Sequence, residues 1–301
     1  MKLINTANKK QYEIKRISYQ SSDGIVYCGP ASDPQKGNCF IKVIHYGNER
    51  DSVLCRALRR DAVGEATTLR TLAGISSVHG KVPALYDCWD DLQSQRYVIV
   101  MQQMSGVTLR HWMQKRPAEK LTQKDLFVRS QIVYQLCRIL QEINQYKSGL
   151  FHRDLKPENI HIRLDEKHRW TVSILDFGCT KLIRAHNVGT AAYQAPEQTT
   201  AAGSRALNTF KTDIFSLGQI LYELLTGKTP VIGVDYQKEG NRKVWLKTPE
   251  LPPEVLALPS GSLLNDLLQQ MTRYDMEERP TYKKIIGQLC EVKYNFGRKQ
   301  K

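Results

Sequence analysis

The ten residues Phe151 to Ile160, "FHRDLKPENI", carry the reading of this chain. They set His152-Arg153-Asp154, then Lys156 and Pro157, then Glu158-Asn159 in one unbroken run. Two further blocks follow, "LDFG" at 175–178 and "AAYQAPE" at 191–197. A tripeptide such as Asp-Phe-Gly alone is a weak signal. The pattern H-R-D-x-x-x-x-N with D-F-G and A-P-E behind it, in that order and at these separations, is highly specific.

On these three blocks the chain resembles the eukaryotic-type protein kinase family, from about residue 12 to about residue 292. The resemblance implies an α+β, bilobal protein-kinase fold. A small N-lobe, about 1–103, would hold an antiparallel β-sheet with one helix. A larger, mainly helical C-lobe, about 104–301, would complete a single domain spanning 1–301, with ATP between the lobes. The implied activity is Mg2+-assisted transfer of the γ-phosphate of ATP to Ser or Thr hydroxyls of protein substrates. Such transfer asks for in-line positioning and neutralisation of charge on the phosphate oxygens. Carried over position by position, Asp154 is the catalytic base and Lys156 neutralises the transferring phosphate. Asn159 and Asp176 are the Mg2+ ligands, hard oxygen donors suited to that ion. Asp213, in "KTDIFSLG", matches the acid that holds the catalytic loop. Glu197 and Arg279 match a buried ion pair that ties the activation segment down. Lys156 after the base and Thr190 before A-P-E resemble serine/threonine kinases more than tyrosine kinases, with dual specificity as the alternative.

The same resemblance locates an upstream half. Lys42 in "CFIKV" matches the strand lysine that grips the α- and β-phosphates. Its partner is expected on the next helix. Glu65 in "DAVGEATTL" fits, with Leu69 one turn later on the same face, and Asp61 is the alternative one turn away. Met101 stands at the gatekeeper position and Gln102 at the first hinge position. "QQMSG" at 102–106, with Met104, reads as the hinge that recognises adenine.

The chain departs from the family around the nucleotide. The family loop is G-x-G-x-x-G-x-V, whereas "YQSSDGIV" at 19–26 has Tyr19 and Ser21 for the leading glycines and keeps only Gly24 and Val26. Glycine permits positive φ and close backbone approach. The loop is therefore expected to be stiffer, with the Ser21 and Ser22 hydroxyls as substitute donors. Phe40 replaces a small alanine two residues before the lysine, so it crowds adenine or stacks on it. His161 replaces a leucine two residues after Asn159. In the family, the arginine at position 153 often pairs with a phosphorylated activation loop. Here "KLIRAHNVG", Lys181 to Gly189, has no Ser, Thr or Tyr, so activity is expected not to depend on phosphorylation there. Cys179, directly after D-F-G, reads as a buried inert thiol, with a redox-sensitive thiol as the alternative.

The hydropathy pattern agrees with this layout. "YEIKRISYQ", "GIVYCGP", "CFIKVIHY" and "RYVIVMQQ" are β-branched and aromatic runs bounded by turn residues. Between the third and fourth, "SVLCRALRRDAVGEATTLRTLAG" has helical periodicity closed by Gly. Downstream, "LTQKDLFVRSQIVYQLCRILQEINQY" has a Thr cap signal and a long apolar stripe. "KTDIFSLGQILYELLTG" is apolar nearly all round and reads as a buried central helix. "SLLNDLLQQMT" and "RPTYKKIIGQLCEV" close the chain as helices.

Composition narrows the remaining classes. The chain has 301 residues and 41% hydrophobic content, enough for two cores. No apolar run reaches the roughly 18–20 residues of a membrane span, and the N-terminus lacks a signal-length apolar stretch. A soluble, intracellular, cytoplasmic protein is expected, with an effector secreted by some other signal as the alternative. The seven cysteines are dispersed with no C-x-x-C pair, which suggests reduced thiols. The net charge of +14 suits acidic partner surfaces. Its spread along the chain, clustered only in "CRALRR" and "GRKQK", argues against a nucleic-acid partner. The rival reading is a pseudokinase, a kinase-shaped scaffold with weak or atypical nucleotide binding. Phe40 and the glycine-poor loop favour it. The joint presence of Lys42, Glu65, Asp154, Asn159 and Asp176 opposes it. A small-molecule kinase is opposed by "GTAAYQAPE".

Overall fold

Runs of β-branched and aromatic residues in the first hundred positions pair into one antiparallel sheet. The computed structural model describes residues 1–21, 23–33, 35–47, 52–147, 149–177, 191–199, 209–231 and 249–298. By internal packing they divide into two units. The first is Met1–Met104 with Phe177, and the second is Ser105–Asp176 with the described residues beyond Ala185.

The first unit begins with a small hairpin, β1 (Lys2–Ile4) and β2 (Gln11–Glu13). A five-stranded sheet follows: β3 (Tyr19–Gln20), β4 (Val26–Asp33), β5 (Gly37–His45), β6 (Leu85–Asp91) and β7 (Arg96–Gln102), in spatial order β3-β4-β5-β7-β6. Side chains alternate between the two faces. One face buries Tyr27, Ala31, Cys39, Ile41, Val43, Val98 and Val100 against Leu3, Tyr12 and Ile14 of the hairpin region. Tyr12 stacks on Trp89, ring centroids 5.8 Å apart, and its hydroxyl donates toward the Asp33 and Asp87 carboxylates at 3.2 and 3.0 Å. Gly29 makes the crossing possible. A Cβ there would stand 2.0 Å from the carbonyl oxygen of Arg16. The opposite face carries α1 (Ser52–Leu72), which buries Leu58, Ala62, Glu65, Ala66, Leu69 and Leu72.

One sequence expectation changes here, and one strand lies outside the predicted runs. "YEIKRISYQ" is not one strand. It breaks after Glu13, where the chain crosses β4 at Gly29, and resumes as β3 in a different sheet. The strand β6 carries no legible pattern in the sequence, because in "LYDCWDD" only Trp89 is buried.

In the second unit, β8 (Val107–Thr108), β9 (Ile160–Leu164) and β10 (Trp170–Ile174) form a three-stranded sheet ordered β10-β9-β8. The short helix α2 (Leu109–Gln114) precedes α3 (Gln123–Tyr146), which opens on the predicted cap, a capping box between Thr122 and Asp125. The one-turn α4 (Pro196–Thr199) leads to α5 (Phe210–Thr226), which is buried along nearly its whole length, capped by Thr209 and ended by Gly227 at φ +69°. Helices α6 (Pro253–Leu256), α7 (Gly261–Met271) and α8 (Tyr282–Arg298) follow. α8 packs on α3 through stacked Phe127 and Phe296 rings, 4.4 Å apart.

Gln219 of α5 is an anomaly in this core. It is buried, and among the described residues neither its Nε2 nor its Oε1 has a hydrogen-bond partner. An unsatisfied buried amide costs about 1–3 kcal/mol. Gln219→Met, close in volume, should therefore stabilise the protein by about that amount in chemical denaturation. An unchanged or lower stability would show that the amide is satisfied in solution.

Candidate active site

In the first unit, strand pairing gathers the predicted residues. Lys42 of β5 pairs with Cys28 and Ile99, Phe40 with Pro30 and Met101, and Val26 with Ile44. Alternation thus puts Val26, Phe40, Lys42 and Met101 on one face, the face that α1 covers. From α1, Glu65 meets the Lys42 Nζ at 2.9 and 2.8 Å through its two carboxylate oxygens. Both groups are largely withdrawn from water, with side-chain exposures of 12% and 2%. The ion pair therefore distinguishes Glu65 from Asp61, which lies 3.7 Å from Arg60. At the end of β7, the Gln102 N–H donates to the Ala84 carbonyl at 2.8 Å, and Met104 closes the unit.

The loop between β3 and β4 uses its residues internally. Gly24 sits at φ +68° and donates to the Ser21 carbonyl, closing a turn. The Ser21 hydroxyl donates to Asp23 at 2.6 Å and accepts from the Val26 N–H at 2.9 Å. The expectation that Ser21 stands ready as a phosphate donor is corrected on this point, since its proton is held by Asp23. Ser22 lies outside the described residues.

In the second unit, Asp213 of α5 organises the loop that carries Asp154. Its two oxygens accept the N–H groups of His152 and Arg153, each at 2.8 Å. Burial drives the Asp213 carboxyl above its ordinary range, while these N–H groups pull the other way. His152 is buried, and its tautomer follows from its partners. Nδ1 accepts from the Asp154 N–H at 3.2 Å, so Nε2 carries the proton and donates to the Leu175 carbonyl at 2.7 Å. The ring thus joins the loop to the residue before Asp176.

Around Asp154 the side chains converge. Asn159 Nδ2 donates to the Asp154 carbonyl and to its Oδ2, both at 2.9 Å. Lys156 Nζ lies 3.4 Å from the same Oδ2. Because Nδ2 faces Asp154, the amide oxygen of Asn159 is turned away from it. The Leu175 N–H donates to the Asn159 carbonyl at 2.8 Å, which ties β10 and Asp176 to the Asn159 segment. Asp176 itself takes a left-handed backbone, φ +58°. Among the described residues no three His, Cys, Asp or Glu side chains form a metal cluster. Two oxygen donors with remaining positions left to phosphate and water is the manner in which Mg2+ binds, since it keeps part of its hydration shell. The Asn159 and Asp176 donor set fits that ion. His161 lies in β9 opposite Ser173 and Thr108.

Glu197 and Arg279 pair as expected, at 2.7 and 2.9 Å, with Thr212 adding a hydroxyl to Glu197 at 2.8 Å. A second network has no signal in the sequence. Arg110 of α2 donates to Glu158 at 2.8 Å, to Glu223 of α5, and to the Tyr193 hydroxyl at 2.6 Å. Tyr193 in turn donates to Glu223. Burial first, and then Glu223, push the Tyr193 hydroxyl well above its ordinary range. The four residues are far apart in the chain, and of them only Glu158 lies inside the decapeptide that carries the motif.

Residues 10–291 match the protein kinase domain family. The chain belongs to that family. Its antiparallel sheet with one helix in the first unit, and its helical second unit, are the elements expected of the α+β kinase fold. Among curated relatives, it is 28% identical over 257 residues to a probable serine/threonine-protein kinase PknB of Lactococcus lactis, covering 80% of this chain and 36% of the relative. It is 31% identical over 206 residues to the serine/threonine-protein kinase PknB of Mycobacterium leprae, covering 64% and 29%. It is 29% identical over 286 residues to a probable serine/threonine-protein kinase nek2 of Dictyostelium discoideum, covering 92% and 62%. The chain thus spans less than two thirds of each of these relatives. No helix among the described residues is long and apolar enough to cross a membrane.

Several expectations fall outside the described residues: Cys179, Thr190 and the Lys181–Gly189 segment. Arg153 is described. Its guanidinium lies over the Phe151 ring, 5.8 Å from the centroid, and its Nε is buried with no hydrogen-bond partner among the described residues.

Proposed function

We propose that this chain is an ATP- and Mg2+-dependent serine/threonine protein kinase. The observation that carries the reading is Asp154, buried and held by Asn159, Lys156 and the His152–Asp213 frame. Bound Mg-ATP supplies the electrophilic γ-phosphorus and its leaving group. In this reading Asp154 accepts the proton of the substrate hydroxyl, and Lys156 offsets charge on the transferring phosphate. Asn159 and Asp176 offer oxygens to the ion. Lys42, held by Glu65, would hold the α- and β-phosphates. Val26, Phe40 and Met101, which share one face of the first unit's sheet, would offer apolar surface to adenine, with Gly24, Gln102 and Met104 of the same unit and His161 of the second unit as the further proposed adenine contacts. Ser and Thr hydroxyls of proteins are the proposed acceptors, on the strength of Lys156 and of relatives bearing that name.

The test is to incubate purified protein with labelled ATP, Mg2+ and a basic protein substrate, with other nucleoside triphosphates in parallel. Phosphate on Ser or Thr is expected, as is a thermal shift with Mg-ATP. The absence of both transfer and thermal shift with every triphosphate would favour a kinase-shaped scaffold instead. Phe40 and the internally bonded Ser21 are the observations on that side.

A further inference from the structure

We infer that Gln198 is a positioning residue for the catalytic base, a role that rests on the kinase reading above. Gln198 follows Glu197 in α4. Its Oε1 accepts the Ala195 N–H at 2.9 Å, and its Nε2 donates to the Arg153 carbonyl at 2.8 Å. The orientation of the amide is fixed by chemistry, because a backbone N–H can only donate and a carbonyl can only accept.

The Arg153 carbonyl belongs to the peptide group that joins Arg153 to Asp154. That group is planar, so fixing both ends fixes its orientation. Gln198 holds the C=O end, and His152 Nδ1 holds the N–H end at 3.2 Å. The residue it departs from is under backbone strain. Arg153 sits at φ +65°, a left-handed conformation that costs a non-glycine residue free energy and persists only where surroundings enforce it. Asp213 enforces it from the N–H side at 2.8 Å, and Gln198 from the carbonyl side. Removing Gln198 leaves the 153–154 peptide held at one end, and lets Asp154 turn with it.

Gln198 also links two segments. α4 is pinned through Glu197 to Arg279, and the amide beside it reaches back to the base. The order of the A-P-E segment is thereby transmitted to Asp154 by one side chain.

Two variants test this. Gln198→Leu removes both hydrogen bonds at similar volume. Gln198→Glu keeps an acceptor for Ala195 but, when ionised, sets a carboxylate against the Arg153 carbonyl. Both should lower kcat about 10- to 100-fold, as small misplacements of a reacting group do. The KM for ATP and the unfolding midpoint should stay near wild type. In its acid form the carboxyl of the Gln198→Glu variant regains a donor for that carbonyl. The ratio of its kcat to wild type should therefore rise as pH falls through the carboxyl titration, and Gln198→Leu should show no such rise. Amide exchange across residues 151–155 should be faster in both variants, and this readout needs no activity. Wild-type kcat in Gln198→Leu, a loss explained wholly by unfolded protein, or unchanged exchange would each overturn the proposal. Faster exchange in the variants of a wild type that transfers no phosphate would leave the clamp standing and overturn the kinase reading.

Discussion

Asp154→Asn should lower kcat by about 10²–10⁴-fold, the contribution usual for a positioned general base. The KM for ATP and the unfolding midpoint should remain near wild type. The substitution changes one atom and keeps an acceptor for Asn159, whose Nδ2 also retains the backbone carbonyl of residue 154 at 2.9 Å. The loop frame does not depend on the carboxylate, because Asp213 and His152 hold it through backbone N–H groups. Lys42→Met would be a less clean test. It leaves Glu65 buried without the lysine it meets at 2.8 Å, so lost activity and lost stability would arrive together. Kinetics on Asp154→Asn beside its denaturation curve separate the two. Retention of wild-type kcat would remove Asp154 from the role of base.

Arg279→Ala should destabilise the protein by about 3–5 kcal/mol, the cost of leaving a buried partner charge uncompensated. The Arg279 side chain has 0% exposure. It donates to both Glu197 oxygens and to the carbonyls of Arg273, Lys211 and Tyr274 at 2.8, 3.0 and 3.1 Å. Its guanidinium also lies over Phe215, 5.0 Å from the ring centroid. The loss is thus larger than for an exposed ion pair, whose worth is about 0–1 kcal/mol. Replacing Glu197 and Arg279 together by methionine should recover part of the stability, because no orphaned charge remains. The recovery should be incomplete, because the three carbonyls lose their donor. Urea titration of the two single variants and the double variant measures this. A loss under about 1 kcal/mol in Arg279→Ala would mean that water reaches the site and screens Glu197.

Much of this architecture is legible one element at a time. α1 and α3 follow from periodicity and α5 from its nearly continuous apolar run, and Thr122 announces the α3 cap because a hydroxyl before an apolar stripe satisfies N–H groups that the helix leaves unpaired. The Lys42–Glu65 pair follows from the family resemblance, with Asp61 as the competitor that only the geometry removes. The N-terminal hairpin is not legible in this way. Three-residue strands hold too few side chains for a period to show, and the decisive feature is a glycine in a later strand whose missing Cβ lets another backbone cross. The loop at 19–26 shows its missing glycines in the sequence. The internal hydrogen bonding of Ser21 does not show there, because it depends on the turn that Gly24 closes.

By itself, the sequence determined the family and the residues that bear charge and donor oxygens. Contiguous runs such as "HRDLKPEN" and "DFG" keep their chemistry within a few bonds, where covalent connection sets proximity. The tertiary structure alone decided what holds those residues. The tautomer of His152 depends on Leu175, the backbone of Arg153 on Asp213 and Gln198, and Arg110 on Glu158, Glu223 and Tyr193. Such partners lie tens of residues apart and share no spacing rule, because a hydrogen bond between distant segments is set by how helices and strands pack and leaves no period in the chain.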